Sequence, residues 1–563
     1  MKGKVAMIMM LCFLVSVLAG CGGNAGGSNS AQPSGAAEGA GAGAQAEGSG
    51  AAEGAQAEGG GAAGGAQAEG GAAEGAEAAG KKTMTIGDTT FNPENAEPDV
   101  NPHNDYAGWA TIRYGIGETL FKLSDDMELT PWLATEWENV DEYTWKITLR
   151  DGVTFSSGRA MDAEAVKQCL EHLVENHDRA PGDLMLEEIV AEGNILTLKT
   201  KEPRPALLNY LCDPYGCIID VDAGFDGGIV AGTGPYIAVD CVSGDHLKLV
   251  KNETYWGGTP HLDELTICTI SNGDTLAAAL QAGDIDAAYG MAYEAYPLFA
   301  NDNYRFSQIA TSRAFFCWMN YESPLASDPV IRKAIAMGIN KEGFVATLLD
   351  GNGEVATGAF PDSFSFGGSS LVTEGYDPDG ARALLEEAGW TDSDGDGIRE
   401  KDGKALKIRW LTYPSRQELP LLAESAQASL RDIGIDVDVN CTADHNSIIT
   451  DMGAWDVYAS ANVNASIGDP EYFFTSFCLD SSSKNKGHYH SDVIEALEKQ
   501  MAVEFDPAKR AELAVQMQQV LLDDNAFVFC SFLKMSMISR AGVTGYDYHP
   551  TDFYQVTADL DIE

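Results

Sequence analysis

Between residues 22 and 80 the chain consists almost wholly of glycine, alanine, glutamate, glutamine and serine. It has no aromatic residue there, and the hexamer GAQAEG returns at positions 43, 54 and 65. Such a stretch cannot bury enough apolar surface to offset the entropy lost on folding, and its many glycines work against an alanine-rich helix. A coil of this composition has an end-to-end distance of about 40 Å, so the stretch reads as a flexible tether, and any folded body must follow it. What precedes it is short: Lys2 and Lys4, an apolar run over residues 7–18, and small residues leading into Cys21. That is the layout of a secretory signal peptide, whose apolar part is too short to span a bilayer.

Leu18-Ala19-Gly20-Cys21 resembles the lipobox of bacterial lipoproteins. The resemblance implies a signal peptide over residues 1–20, cleavage before Cys21, and acylation of that residue. Residues 21–82 then form the lipidated cysteine and its tether. Each buried methylene contributes ~0.8 kcal/mol, so two or three acyl chains anchor a protein stably where one does not. The expected location is extracytoplasmic, on the outer face of the cell membrane.

The remainder of the 563 residues is long enough for two domains or more. A formal charge of -49, from 85 acidic and 36 basic residues, repels phosphate backbones and argues against a nucleic-acid partner. Of 11 cysteines, Cys12 leaves with the leader and Cys21 carries lipid; the other nine lack the dense spacing of a disulfide framework. Cys212 and Cys217 stand close enough in sequence to bridge, while most are expected as small buried apolar groups. There is no HExxH or GxSxG motif and the nine histidines are dispersed, so neither catalysis nor a cofactor is expected.

From Thr83 onward strands and helices mix. TWKITLRDGVTF alternates Trp145, Ile147 and Leu149 with polar residues, turns at Asp151-Gly152 and resumes at Val153 and Phe155, which predicts a hairpin. Asp162 is placed to cap a helix carrying Val166, Cys169, Leu170 and Leu173 on one face. Asp328-Pro329 and Asp377-Pro378 each set an N-cap before a proline at the first helical position. Residues 406–413, 419–433 and 435–439 read as strand, helix and strand, with Gly434 as the stop. This βαβ unit implies a parallel sheet with helices on its faces, and residues 455–460 add a further strand.

Eight stretches in one order carry a family resemblance. They include LTPWLATEWENVDEYTWKITLRDGVTFSSGRAMDAEAVK (129–167), GTGPY (232–236), NETYWGGTPHLDEL (252–265), IRKAIAMGINKEGF and YDPDGARALLEEAGW. Together they resemble the family 5 extracytoplasmic solute-binding proteins of ABC importers, the branch serving oligopeptides, dipeptides and nickel. The resemblance implies an α/β, two-lobe, periplasmic-binding-protein-like clamshell of type II, in the large peptide- and nickel-binding cluster, with a hinge and an extra subdomain in the first lobe. Lobe I is expected over 83–319 and 531–563, and lobe II over 320–530. The crossings fall in FFCWMN and FVFCSF. A ligand would bind in the cleft, and the closed monomer would dock on permease and ATPase subunits. The alternatives within this fold are a nickel or metal-chelate binder and a ligand-sensing receptor component.

Peptide-binding members hold the ligand's amino group with an aspartate four residues before the proline of an acidic-Pro pair. Here the pair is Asp469-Pro470 and the earlier residue is Ser466, so that carboxylate is missing. In the nickel branch an arginine matching Arg179 binds chelate carboxylates, a task suited to a bidentate guanidinium. The branch's metal-ligating histidine falls near Ser482, with His488 and His490 a few residues on. Trp109, Arg113 and Tyr114 match the cleft-lining segment of relatives, and Asn464 and Ser466 offer neutral hydrogen bonds from the other side. Residues 392–400, DSDGDGIRE, resemble the opening of a calcium loop whose closing glutamate would fall at Gly403.

Overall fold

The computed structural model describes residues 80–91, 99–104, 106–242 and 244–563; the leader, Cys21 and the tether to residue 79 lie outside the described residues. Ten strands form the continuous path of the principal sheet: β1 (Thr83–Asp88), β2 (Tyr236–Val242), β3 (His246–Lys251), β4 (Glu264–Thr269), β5 (Ala287–Tyr289), β6 (Tyr304–Met319), β7 (Lys407–Thr412), β8 (Asp436–Cys441), β9 (Val457–Val463) and β10 (Phe527–Arg540). Their spatial order is β8-β7-β9-β6-β10-β5-β1-β4-β3-β2, and Gly353–Val355 pairs with β10 off this path.

β6 and β10 are long, at 16 and 14 residues, and they pair antiparallel. At one end β10 pairs with β5, which leads through β1 to the first lobe; at the other end β6 pairs with β9 and the second lobe. Both strands thus connect the two ends of the principal sheet. The β6–β10 register shifts between Ala310 and Ala314, and again between Phe315 and Phe316.

In the second lobe the local signals act as expected. Asp328 accepts from the Val330 amide at the head of helix Pro329–Gly338, and Asp377 accepts from the Gly380 amide at the head of helix Pro378–Glu387. β7 and β8 pair in parallel across helix Glu418–Asp432, and Gly434 leaves that helix with φ +90°. Trp410, Leu422, Leu430, Val437 and Val457 close the core between helix and sheet.

The first lobe carries a separate four-stranded antiparallel sheet in the order Ala134–Asp141, Thr144–Leu149, Ile195–Thr200, Leu186–Glu192. Helix Ala163–Asn176, capped by Asp162, packs beside it. Here the expected hairpin is corrected. Thr144–Leu149 pairs with 134–141 on one side and 195–200 on the other, which occupies both of its edges. Residues 153–155 instead fold back on 159–161, with Phe155 donating to Arg159 O and Met161 to Val153 O. All nine cysteines among the described residues are free, Cys212 and Cys217 included. The sulfurs of Cys317 in β6 and Cys530 in β10 lie 4.0 Å apart.

GTGPY lies against the backbone of residues 115–117. A Cβ on Gly232 or Gly234 would come within 2.1 Å of Ile116 O or 2.2 Å of Gly115 O, so only glycine fits. Beneath that turn Glu118 is fully buried. It accepts from Thr233 Oγ1 (2.9 Å), Tyr255 Oη (2.7 Å) and Trp256 Nε1 (2.8 Å), which explains the aromatic pair of NETYWGG. Burial pushes Glu118 up from 4.5 to about 7, against the pull of those three donors. Between these values the folded chain holds a proton that the unfolded chain has released. Its contribution is therefore fully present below about pH 4.5 and is lost as pH rises through about 7, by on the order of 3 kcal/mol. Urea unfolding at pH 5 and pH 8 is expected to show Glu118→Gln with a markedly flatter pH dependence than the wild type.

Candidate functional site

Arg313 sits within the register shift of β6, next to the apolar run that follows it. A charged residue at that point has no ladder neighbour on its β10 side. It lies opposite Val463 of β9, and it is half-buried. Its own amide donates to Thr311 Oγ1, but among the described residues its guanidinium has no hydrogen-bond or ion-pair partner. Burial, and then the nearby Arg416 guanidinium, push Arg313 down to about 10, while Asp552, Tyr413 and Tyr548 act in the opposite sense. It stays cationic at neutral pH, in surroundings that disfavour its charge. Arg416 stands just ahead of helix Glu418–Asp432. Tyr413, at the end of β7, accepts from the Ala461 amide and stacks on His445 with centroids 4.2 Å apart.

Asp552 comes from the C-terminal segment. Its backbone is left-handed, with φ +62°, a conformation uncommon for a residue other than glycine. Oδ2 accepts from Arg113 Nη2 at 3.0 Å and from Tyr289 Oη at 3.0 Å, whereas the buried Oδ1 has no hydrogen-bond partner. Burial raises the Asp552 carboxyl, and Arg113, Tyr289 and Arg313 oppose that rise. Tyr289 Oη also lies 3.3 Å from Tyr548 Oη, so two buried tyrosines back the carboxylate.

The six residues nominated from sequence fall in three places. Trp109, Arg113 and Tyr114 share the short helix Gly108–Arg113 and its cap. Trp109 meets the edge of Phe553 at 4.9 Å. Arg113 bridges Asp552 and Asp88, and its side chain is only 8% exposed. Tyr114 is fully buried and donates to Asp88. Arg179 lies elsewhere in the first lobe, paired with Asp213 at 3.1 Å and set over the rings of Tyr106 and Tyr215; its side chain is 41% exposed. Asn464 follows β9 directly. Its amide donates to Ser312 O, beside Arg313, and its Nδ2 donates to Ala359 O, while its buried Oδ1 has no partner. Ser466 is half-buried two residues further on. Arg313, Arg416 and Asp552 were not nominated; the available signal was a cation at the margin of an apolar run suited to a buried strand.

The segment after Asn464 also joins the lobes. Asn209 Nδ2 donates to Ile467 O at 3.0 Å, and Arg204 pairs with Glu471 at 2.8 Å. Glu471 and Asp469 are both bound by Arg510, so Asp469 of the acidic-Pro pair is engaged inside the second lobe. His488 and His490 pair with different carboxylates, Glu322 and Asp480. In the DSDGDGIRE turn, single carboxylate oxygens of Asp392, Asp394, Asp396 and Glu400 lie within 4.8 Å of one another, and Glu400, not a residue at position 403, completes the group. These carboxylates accept from the loop's own amides, Gly395 and Gly397 among them.

The mixed α/β fold built around a shared strand pair is that of the two-lobe solute-binding proteins. The chain belongs to the bacterial extracellular solute-binding proteins, family 5, whose middle-region profile matches residues 128–485. It is 27% identical over 484 residues to the nickel-binding periplasmic protein of Escherichia coli, spanning 82% of this chain and 92% of that one. It is 30% identical over 374 residues to the glutathione-binding protein GsiB of Salmonella paratyphi A, spanning 64% and 71%. The crystal structure of a nickel ABC transporter protein from Bacillus halodurans superposes with a TM-score of 0.77 at 28% identity, covering 86% of this chain and all of that one.

The Arg113 pairs define a measurable role in the fold. Removing one partner of a buried ion pair leaves an uncompensated charge and costs about 3–5 kcal/mol. Arg113→Met is therefore expected to lower the urea midpoint by a corresponding amount, and Asp552→Asn combined with it to recover part of the loss.

Proposed function

We propose that this protein is the lipid-anchored substrate-binding subunit of an ABC importer, capturing a peptide or a metal chelate between two lobes and delivering it to permease and ATPase subunits as a monomer. The observation that carries the reading is the β6–β10 pair. Two strands common to both lobes, with a register shift part-way along, supply a place about which the lobes would rotate. We place the hinge at residues 310–314 against 532–534, upstream of the 319/320 boundary read from sequence. A binding role agrees with the relatives, which are named for the solutes they bind. No catalytic step is assigned.

Lobe I is taken as 83–319 with 531–563 and lobe II as 320–530, adjusted at the hinge. Arg179, Asn464 and Ser466 are assigned to the cleft wall with Trp109 beside them, while Arg113 and Tyr114 hold Asp88 and Asp552 in place. The chelate reading gains weight from Ser466, which stands where peptide-binding members carry the carboxylate, and from the coverage of the nickel-binding relative, 92% of its length.

Among the described residues no helix is long and apolar enough to cross a membrane, so attachment rests on Cys21. Cys21→Ala is expected to release the protein from the membrane fraction into the soluble extracytoplasmic fraction, read by immunoblot after fractionation. Solution scattering tests capture itself: the radius of gyration is expected to fall when a bound solute closes the lobes. A curve unchanged by every solute released from the purified protein would sink the importer reading.

A further inference from the structure

We propose that Cys317 of β6 and Cys530 of β10 form a redox-sensitive staple: an oxidant of the low-molecular-weight disulfide class converts the two thiols into a disulfide that ties the shared strands together. The inference needs only the strand pair, so it stands or falls apart from the importer reading. Both cysteines are free and fully buried, and their sulfurs lie 4.0 Å apart. They share one face of the sheet. Cys317, Val528 and Cys530 all belong to the core of the second lobe, whereas Phe316 and Phe529 pack on the opposite face. Cys530 is also the extra residue of a bulge. Phe316 pairs with Phe529 and Phe315 with Ser531, which leaves Cys530 without a partner in β6. Its carbonyl accepts instead from the Ala356 amide at 3.2 Å. Cys317, by contrast, stands in regular register between Val528 and Ala459. A small adjustment at the bulge therefore brings Cys530 towards Cys317 while the pairs on either side stay in place.

The sulfurs need about 2 Å of travel to reach bonding distance. Exchange starts from a thiolate, and Cys530 is the better placed to supply one. The Cys317 thiol donates to it and the Lys341 ammonium adds positive charge nearby, which together hold it below the usual thiol value against the opposing effect of burial. Burial raises Cys317. The Cys530 thiolate attacks one sulfur of the oxidant, breaks its S–S bond and releases one thiol. Cys317 then gives up its proton and attacks the Cys530 sulfur of the mixed disulfide, and the second thiol leaves. The protein loses two electrons and two protons, and the oxidant is reduced to two thiols. Entry follows local opening of the ladder at its shifts, where the strand pair is least regular. The extracytoplasmic location proposed above supplies such oxidants. Once closed, the bond spans 213 positions of sequence and so restricts the unfolded chain strongly. It also fixes the register of β6 against β10 beside the bulge.

The test incubates the native full-length protein with oxidised glutathione, blocks the remaining thiols with iodoacetamide under denaturing conditions, and maps the unreduced digest by mass spectrometry. The expected product is a peptide pair joined through Cys317 and Cys530, with the other described cysteines alkylated. Dithiothreitol is expected to abolish the pair. The oxidised protein is expected to melt about 5 °C higher than the reduced protein. The double variant Cys317→Ala, Cys530→Ala is expected to melt at one temperature under both treatments. Should that variant fail to fold, the wild-type digest and its two melting curves decide the matter. Cys317 and Cys530 both alkylated after oxidation, a glutathione adduct persisting on either of them, a link from either to a different cysteine, or equal melting of oxidised and reduced wild type overturns the proposal. None of these outcomes bears on capture of a solute, which scattering reads separately.

Discussion

The antiparallel pairing of β6 with β10 is the contact on which the architecture depends. Every other strand of the principal sheet joins this pair from one side or the other, so each lobe hangs from the same two segments. A ladder resists sliding because a one-residue slip turns every side chain to the opposite face. It tolerates twist and bending more readily where its register is already shifted. The shifts at 310–316 interrupt the regular ladder within this pair. Arg313 stands in that interval, and a group bound there touches the element that both lobes share.

Charge is distributed in the same spirit. The deep cations and anions of the first lobe are largely satisfied: Arg113 by Asp88 and Asp552, Arg179 by Asp213, Arg204 by Glu471. Desolvating an ion is costly unless its partner is close, and these pairs meet that condition. Against that background the bare guanidinium of Arg313 and the idle oxygens of Asp552 and Asn464 stand out as incomplete.

Much of this was legible in one dimension wherever the cause is local. Asp162, Asp328 and Asp377 cap helices because a carboxylate reaches amides two or three residues on, and Gly434 stops one because φ near +90° suits glycine. The βαβ unit over 406–439 follows from periodicity and length alone. The expected hairpin at 144–155 does not form because both edges of Thr144–Leu149 are taken, by the preceding strand 134–141 and by Ile195–Thr200 fifty residues downstream, and competition from a distant partner leaves no local mark. The site was harder. Arg113 and Trp109 were picked from their segment, but the carboxylate that holds Arg113 lies 439 positions away. Arg313 stands at the margin of a run whose apolar residues speak only of burial. Asn464 was singled out, yet its unengaged oxygen is a property of its surroundings and not of its letter.

β10 occupies the centre of the sheet and is nearly the last element of the chain. Until residues 527–540 emerge, β5 and β6 lack the neighbour that joins them, and Arg113 lacks Asp552 until residue 552 follows. The two halves of the principal sheet therefore meet only where this one late segment lies between them.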